Sequence, residues 1–139
     1  TKNRFYGGFM RKYNNAKREY DGHKFDSLKE LSRYKILSAW LACGIIRELK
    51  LQEQFVLVPA VILIKDGKPK KKPAVKYIAD FTYMKDSEFI VEDVKSEATK
   101  NLPVYRLKIH LMKHIHGLDV TEIWVKQTVK QPAELTRLS

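Results

Sequence analysis

Residues 75–95 read VKYIADFTYMKDSEFIVEDVK, and two β-strands with the turn between them stand out in that string. Segments 75–83 and 89–95 are rich in β-branched and aromatic residues, and the polar step around Asp86-Ser87 is a short turn. Two acids interrupt the apolar pattern. Asp80 stands in Tyr77-Ile78-Ala79-Asp80-Phe81, where an ionised carboxylate is costly without a partner, and Asp93 follows in Asp93-Val94-Lys95. Strand side chains alternate between faces, so Asp93 and Lys95 project to one side and Val94 to the other. Two carboxylates converging on neighbouring strands can hold a hard divalent cation through oxygen. The adjacent ammonium can orient a water or touch a phosphate oxygen. Taken singly, Asp80 is an ordinary strand acid and Asp93 with Lys95 an ion pair worth little. Their combination on consecutive strands points to chemistry.

Working outward from this pair of strands, Ser27 opens a helical pattern in which Leu28, Leu31, Tyr34, Leu37 and Leu41 form one apolar stripe, and Gly44 ends it. Segment 49–57 alternates as a strand, with 61–64 expected as its continuation beyond a break at Pro59. Asp66-Gly67 signals a hairpin turn, which the lysine-rich stretch up to Pro73 lengthens. Segments 75–83 and 89–95 complete an antiparallel meander. After a polar linker, Pro103 suits a first helical position, and Val104, Leu107, Leu111 and Ile115 are expected to face inward, with Gly117 as the stop. Segment 120–125 is a last strand. The order of helix, three strands, helix and strand predicts an α/β layer architecture over 25–126, between a loose basic arm at 1–24 and a polar tail at 127–139.

A chain of 139 residues fits one domain with one core. No apolar run approaches the roughly 20 residues a bilayer-spanning helix needs, and the first residues lack a secretory pattern. Cys43 is the only cysteine, which excludes an internal disulfide and a cysteine-rich zinc site and fits a reducing, cytoplasmic setting. The formal charge of +11 is concentrated in two places. Residues 1–25 carry seven Lys/Arg against Glu19 and Asp21, and residues 65–76 carry six lysines against Asp66. A near-neutral body with two basic segments suits a polyanion such as nucleic acid, because each phosphate contact releases counterions. Arg4, Arg11, Lys12, Lys17 and Arg18 in the arm, and Lys70, Lys71 and Lys72 in the hairpin, are the expected phosphate contacts. The competing account is a solvated tail and a soluble loop.

Other residues admit two explanations. Ser27 and Glu30 fit a capping box, which needs no catalysis; the same glutamate could also face the sheet edge and supply an outer ligand to a second cation. Glu92 points away from Asp93 by alternation. Gln52 can reach the site, though nothing in the sequence requires it. His110 and His114 have a zinc-compatible spacing, but with no base after His110 and no cysteine to complete a site, solvent or phosphate contact by His110, His114 and His116 is the expectation.

Over about residues 19–125 the sequence resembles the PD-(D/E)XK nuclease superfamily, and within it a family of small phage-encoded, Holliday-junction resolvase-like endonucleases. The resemblance is carried by Glu19-Tyr20-Asp21-Gly22, Phe25-Asp26-Ser27 with Glu30, Leu51-Gln52, Tyr77-Ile78-Ala79-Asp80-Phe81 and Val91-Glu92-Asp93-Val94-Lys95. Ala79 stands where the motif's label has proline, a position that varies across the superfamily. The resemblance implies a restriction-endonuclease-like core and a Mg²⁺-dependent DNA phosphodiesterase, Mn²⁺ being the alternative ion. In it Asp80, Asp93 and the backbone carbonyl of Val94 hold the metal, Glu30 completes a second site or positions water, and Lys95 orients the nucleophile. It also implies branched DNA as substrate, a homodimer that makes two symmetric cuts, and the cytoplasm of a bacterial host. A nuclease of flaps or single strands, and a non-catalytic DNA-binding module, are the alternatives.

Overall fold

The structure is a computed structural model that describes residues 18–99 and 101–125. Arg4, Arg11, Lys12, Lys17 and the tail at 127–139 lie outside the described residues. The first described elements are β1 (Arg18–Tyr20) and β2 (His23–Phe25), an antiparallel hairpin closed by Asp21-Gly22. Both turn residues have positive φ, 52° and 76°, as a tight right-twisted hairpin demands. Residues 18–24 were expected in a loose arm. Instead Phe25 is buried in a core cluster with Tyr34, and the Tyr34 hydroxyl donates to Asp21 Oδ2 at 2.7 Å. Asp-Gly was itself a turn signal here, and Phe25 anchors what it starts.

Helix α1 (Leu28–Ala42) begins where Ser27, in extended conformation, accepts the Glu30 N–H at 3.2 Å. Past its end, Gly44 takes φ 75°, the left-handed region that favours glycine. Then come β3 (Ile46–Val58), the hairpin of β4 (Val61–Lys65) and β5 (Lys68–Lys72), β6 (Val75–Lys85) and β7 (Glu88–Lys95). Helix α2 (Pro103–Leu111) runs into a single π-helical turn, Met112–His116, and β8 (Val120–Trp124) follows. The main sheet has the order β3-β6-β7-β8. β3, β6 and β7 are antiparallel neighbours, and β8 runs parallel to β7, which requires the crossover that α2 supplies. The protein is thus mixed α/β, as expected.

Two expectations fail. β4 does not continue β3; among the described residues it pairs only with β5, in a separate two-stranded ribbon. Asp66-Gly67 closes that ribbon tightly, so the lysines form a strand and not a lengthened loop. In α2, Val104 and Leu107 are 64% and 59% exposed and Ile115 is also exposed, whereas Tyr105, Ile109, Leu111 and Met112 pack on the sheet. Both sets have helical spacing. The sheet selects the one bearing the bulky Tyr105 and Met112, and the change of helix type at Met112 removes Ile115 from the stripe.

The core has two halves. Phe81, Tyr83 and Ile46 pack with Tyr34 and Leu37 of α1, while Tyr77, Ala79, Leu57 and Val91 pack with Met112. Simple alternation would place residues 77, 79, 81 and 83 on one face. They divide between two faces at Asp80. In β3, Leu49 and Leu51 join the first half, and Phe55 and Leu57 the second. Gln52, which the ladder sets opposite Asp80, has φ 55°. Both strands therefore reverse their facing at one level, across the pair Gln52 and Asp80.

Candidate active site

At that level β6 and β7 also part. Their ladder runs from Lys85 and Glu88 to Phe81 and Glu92, after which β6 keeps β3 as its partner and β7 keeps β8. The Val94 N–H thereby loses a partner strand and donates instead to Asp80 Oδ2 at 2.7 Å. A carboxylate is thus fixed in the fork by a main-chain donor. Asp93 and Lys95 share a face, as alternation predicts, with Lys95 Nζ 2.6 Å from Asp93 Oδ2. The Lys95 head also lies 3.1 Å from the centre of the Tyr105 ring, a cation–π contact that pins it from the α2 side.

The electrostatics tie these groups into one cluster. Asp80 is pushed up to about 8, first by burial, then by its hydrogen bond to Asp93 and the negative charges of Glu30 and Asp93, against the opposing Val94 N–H. Burial, Asp26 and Asp93 also raise Glu30 above its usual value, while a backbone hydrogen bond from Asp26 opposes the shift. Glu30 thus starts α1 and belongs to the acid cluster at once. Of the capping box the Ser27 half is present, while the backbone donor to the Glu30 carboxylate is Asp26.

Sequence reasoning quoted Tyr77 only within a motif and passed over Tyr105. Both hydroxyls are buried near Asp93 but have no partner at hydrogen-bond geometry among the described residues, and burial followed by the Asp93 charge pushes both phenols upward. Tyr77 was hidden because regular alternation sets it opposite Asp80; the reversal at Asp80 brings the two together. Asp26 was quoted only as part of a motif and proves to be a charge on Glu30.

A hollow of about 450 Å³ adjoins the cluster, lined by Arg18, Asp26, Lys29, Glu30, Val94 and Lys95 among others. Basic Arg18 and Lys29 therefore line the same hollow as the acids Asp26 and Glu30. Lys70, Lys71 and Lys72 sit apart on the ribbon. Gln52 is exposed on β3 opposite Asp80. Glu92 faces away, as expected: Arg33 Nε and Nη2 donate to its two oxygens at 2.8 and 2.7 Å, and the Tyr83 hydroxyl donates to it as well. His116 is held on the Val56 carbonyl at 2.8 Å, which departs from the expected solvent or phosphate contact. His110 and His114 fall on either side of the switch from α- to π-helix at Met112, so no uniform helix carries their spacing. Among the described residues, no three His, Cys, Asp or Glu side chains gather to hold a metal by themselves, and no helix is long and apolar enough to cross a membrane.

A mixed four-stranded sheet with an acid cluster in a strand fork is the class that fold and site define. Over residues 10–132 the chain matches the model of a family described as protein of unknown function, DUF1064, and it belongs to that family. No curated protein and no solved structure gives a significant match.

Proposed function

We propose that the protein is a metal-dependent DNA endonuclease with a PD-(D/E)XK-type core. The observation that carries this reading is the meeting of Asp80, Asp93 and Lys95 where β6 and β7 part, with Glu30 close enough to raise the proton affinity of Asp80. The order of α1, β3, β6, β7, α2 and β8 agrees with the core that the sequence resemblance implies.

The donor set suits a hard cation. Asp93 is paired with Lys95, while burial and then the neighbouring Asp93 and Glu30 raise the proton affinity of Asp80, so a divalent ion would offset the negative charge gathered there. Asp80, Asp93 and the carbonyl of Val94 would hold Mg²⁺, or Mn²⁺, with Glu30 serving a second ion or a water. Two side-chain carboxylates are enough for Mg²⁺, which usually keeps several waters. When bound, the ion polarises the phosphate and lowers the pKa of a coordinated water. The chain's own groups do the rest. Lys95, clamped between Asp93 and the Tyr105 ring, orients the attacking water or balances charge developing on phosphorus. Arg18 and Lys29 draw the backbone into the hollow. Branched DNA and a homodimer are part of the proposal, since a four-way junction needs two symmetric cuts. A cytoplasmic setting belongs to it too.

The test is cleavage of labelled four-way junction, flap and linear duplex by the purified protein, with and without Mg²⁺ or Mn²⁺. Divalent-dependent nicking that is strongest on the junction supports the reading. Preference for flaps or single strands replaces its substrate, and no nicking under any condition leaves a DNA-binding module.

A further inference from the structure

The ribbon of β4 and β5 takes no part in either half of the core. All ten of its residues are exposed, and prolines at positions 59 and 73 flank it. Its register sorts its side chains. Cross-strand partners share a face, and the pairs are Val61 with Lys72, Ile62 with Lys71, Leu63 with Lys70, Ile64 with Pro69, and Lys65 with Lys68. Lys65, Lys68, Lys70 and Lys72 therefore fall on one face, together with Val61 and Leu63. Ile62, Ile64 and Pro69 fall on the other, with Lys71 as its single charge. Ile62 and Ile64 are 67% and 71% exposed. The run of lysines that looks uniform in the sequence is thus divided unevenly between the two faces of the ribbon.

We infer that the face bearing Lys65, Lys68, Lys70 and Lys72 is a docking surface for the phosphate backbone of duplex DNA, and that Lys71 lies outside it. This rests on the nucleic-acid part of the proposed function but not on cleavage. Four ammonium groups with no acid among them on that face are complementary to a phosphate row. Lysine is a point charge without the planar fork that reads a guanine edge, and no Arg, Asn or Gln occurs in the ribbon, so the contact carries no base preference. The ribbon joins β6 at Val75, five residues from Asp80, or roughly 17 Å along a strand at about 3.3 Å per residue. That is about half of the ~34 Å turn of a duplex, so DNA at the acid cluster can extend to the ribbon.

The experiment measures binding of the whole protein to a short labelled duplex in EDTA, where nothing can be cut, across a salt series. Replacing Lys68, Lys70 and Lys72 by Thr, which keeps strand propensity, is expected to weaken binding about tenfold or more and to reduce the log–log salt slope by roughly 2.7. Lys71→Thr is expected to stay within about twofold, with an unchanged slope. A second variant guards against loss of the ribbon's fold: Lys70→Thr with Ile62→Lys keeps the net charge but moves it across the ribbon, and should bind no better than Lys70→Thr alone. If Lys71→Thr costs as much as Lys70→Thr, if the triple variant binds like the parent, or if the transferred charge restores affinity, the face assignment is overturned. Failure of cleavage leaves these outcomes untouched, and failure here leaves the acid cluster untouched.

Discussion

Glu92 and Asp93 are neighbours in the chain, yet they sit in regions with opposite electrostatics. Beside Glu92 is the larger hollow, about 610 Å³, and there the acid is fully met: Arg33 grips both carboxylate oxygens, Tyr83 adds a third donor, and Trp40 lies 5.1 Å under the guanidinium. Around Asp93, Lys95 pairs with that one carboxylate, Asp80 is pushed up to about 8 by burial and the neighbouring acids, and two buried tyrosine hydroxyls have no hydrogen-bond partner among the described residues. Burial does not separate the two, since Glu92 is only 1% exposed. Balance does. A satisfied charge pair holds the fold together, whereas the surplus negative charge is where the proposed function places a cation.

The sharpest way to break this contrast is to change both regions and read activity and stability together. Asp80→Asn and Lys95→Ala are expected to cut divalent-dependent DNA cleavage by roughly 10²–10³-fold or more while junction binding stays within a few-fold. Full activity in either variant removes the assigned site. Glu92→Ala should instead destabilise the fold by about 3–5 kcal/mol in urea denaturation, because it strands Arg33 in the interior. The double change Arg33→Met with Glu92→Leu should recover most of that loss. A small effect of Glu92→Ala would mean that the pair is not structural after all.

A third test uses protons. Because Asp80 binds its proton more tightly folded than unfolded, the folded state holds more protons between the unfolded value near 3.8 and the folded value of about 8. Stability from this group is therefore complete below the lower value and is lost as pH rises through the upper one. Without divalent ions, melting temperature should fall by several degrees between about pH 6 and pH 9, and Asp80→Asn should flatten that fall. Mg²⁺, which competes with the proton, should raise the melting temperature more at the higher pH. The smallest effect is expected from Tyr105→Phe, which removes a buried hydroxyl with no hydrogen-bond partner among the described residues and should change stability by no more than about 1 kcal/mol, in the stabilising direction.

Local chemistry made much of the architecture legible. Ser27, Gly44, Asp86, Pro103 and Gly117 each mark a real boundary or turn, because caps and turns act through side chains a few residues apart. The side-by-side placement of Asp93 and Lys95 followed from strand periodicity alone. Other features were not readable because they depend on long-range choices. Nothing in Gln52 announces a left-handed backbone, a role more often given to glycine or asparagine, so the reversal at Asp80 and the approach of Tyr77 stayed hidden. In α2 two apolar stripes compete, and only the sheet decides between them. The separate ribbon was missed because an apolar segment after a proline break looks the same whether it rejoins the sheet or leaves it.

The reversal shared by β3 and β6 also guards against misfolding. β3 is an edge strand, the sort that can slide along its neighbour and trap a wrong pairing. Here a slip of one residue would pull Leu49 and Leu51 from one interior and Phe55 and Leu57 from the other, and a slip of two would move the reversal at Gln52 out of line with Asp80. The kink that places Asp80 also locks the strand in step.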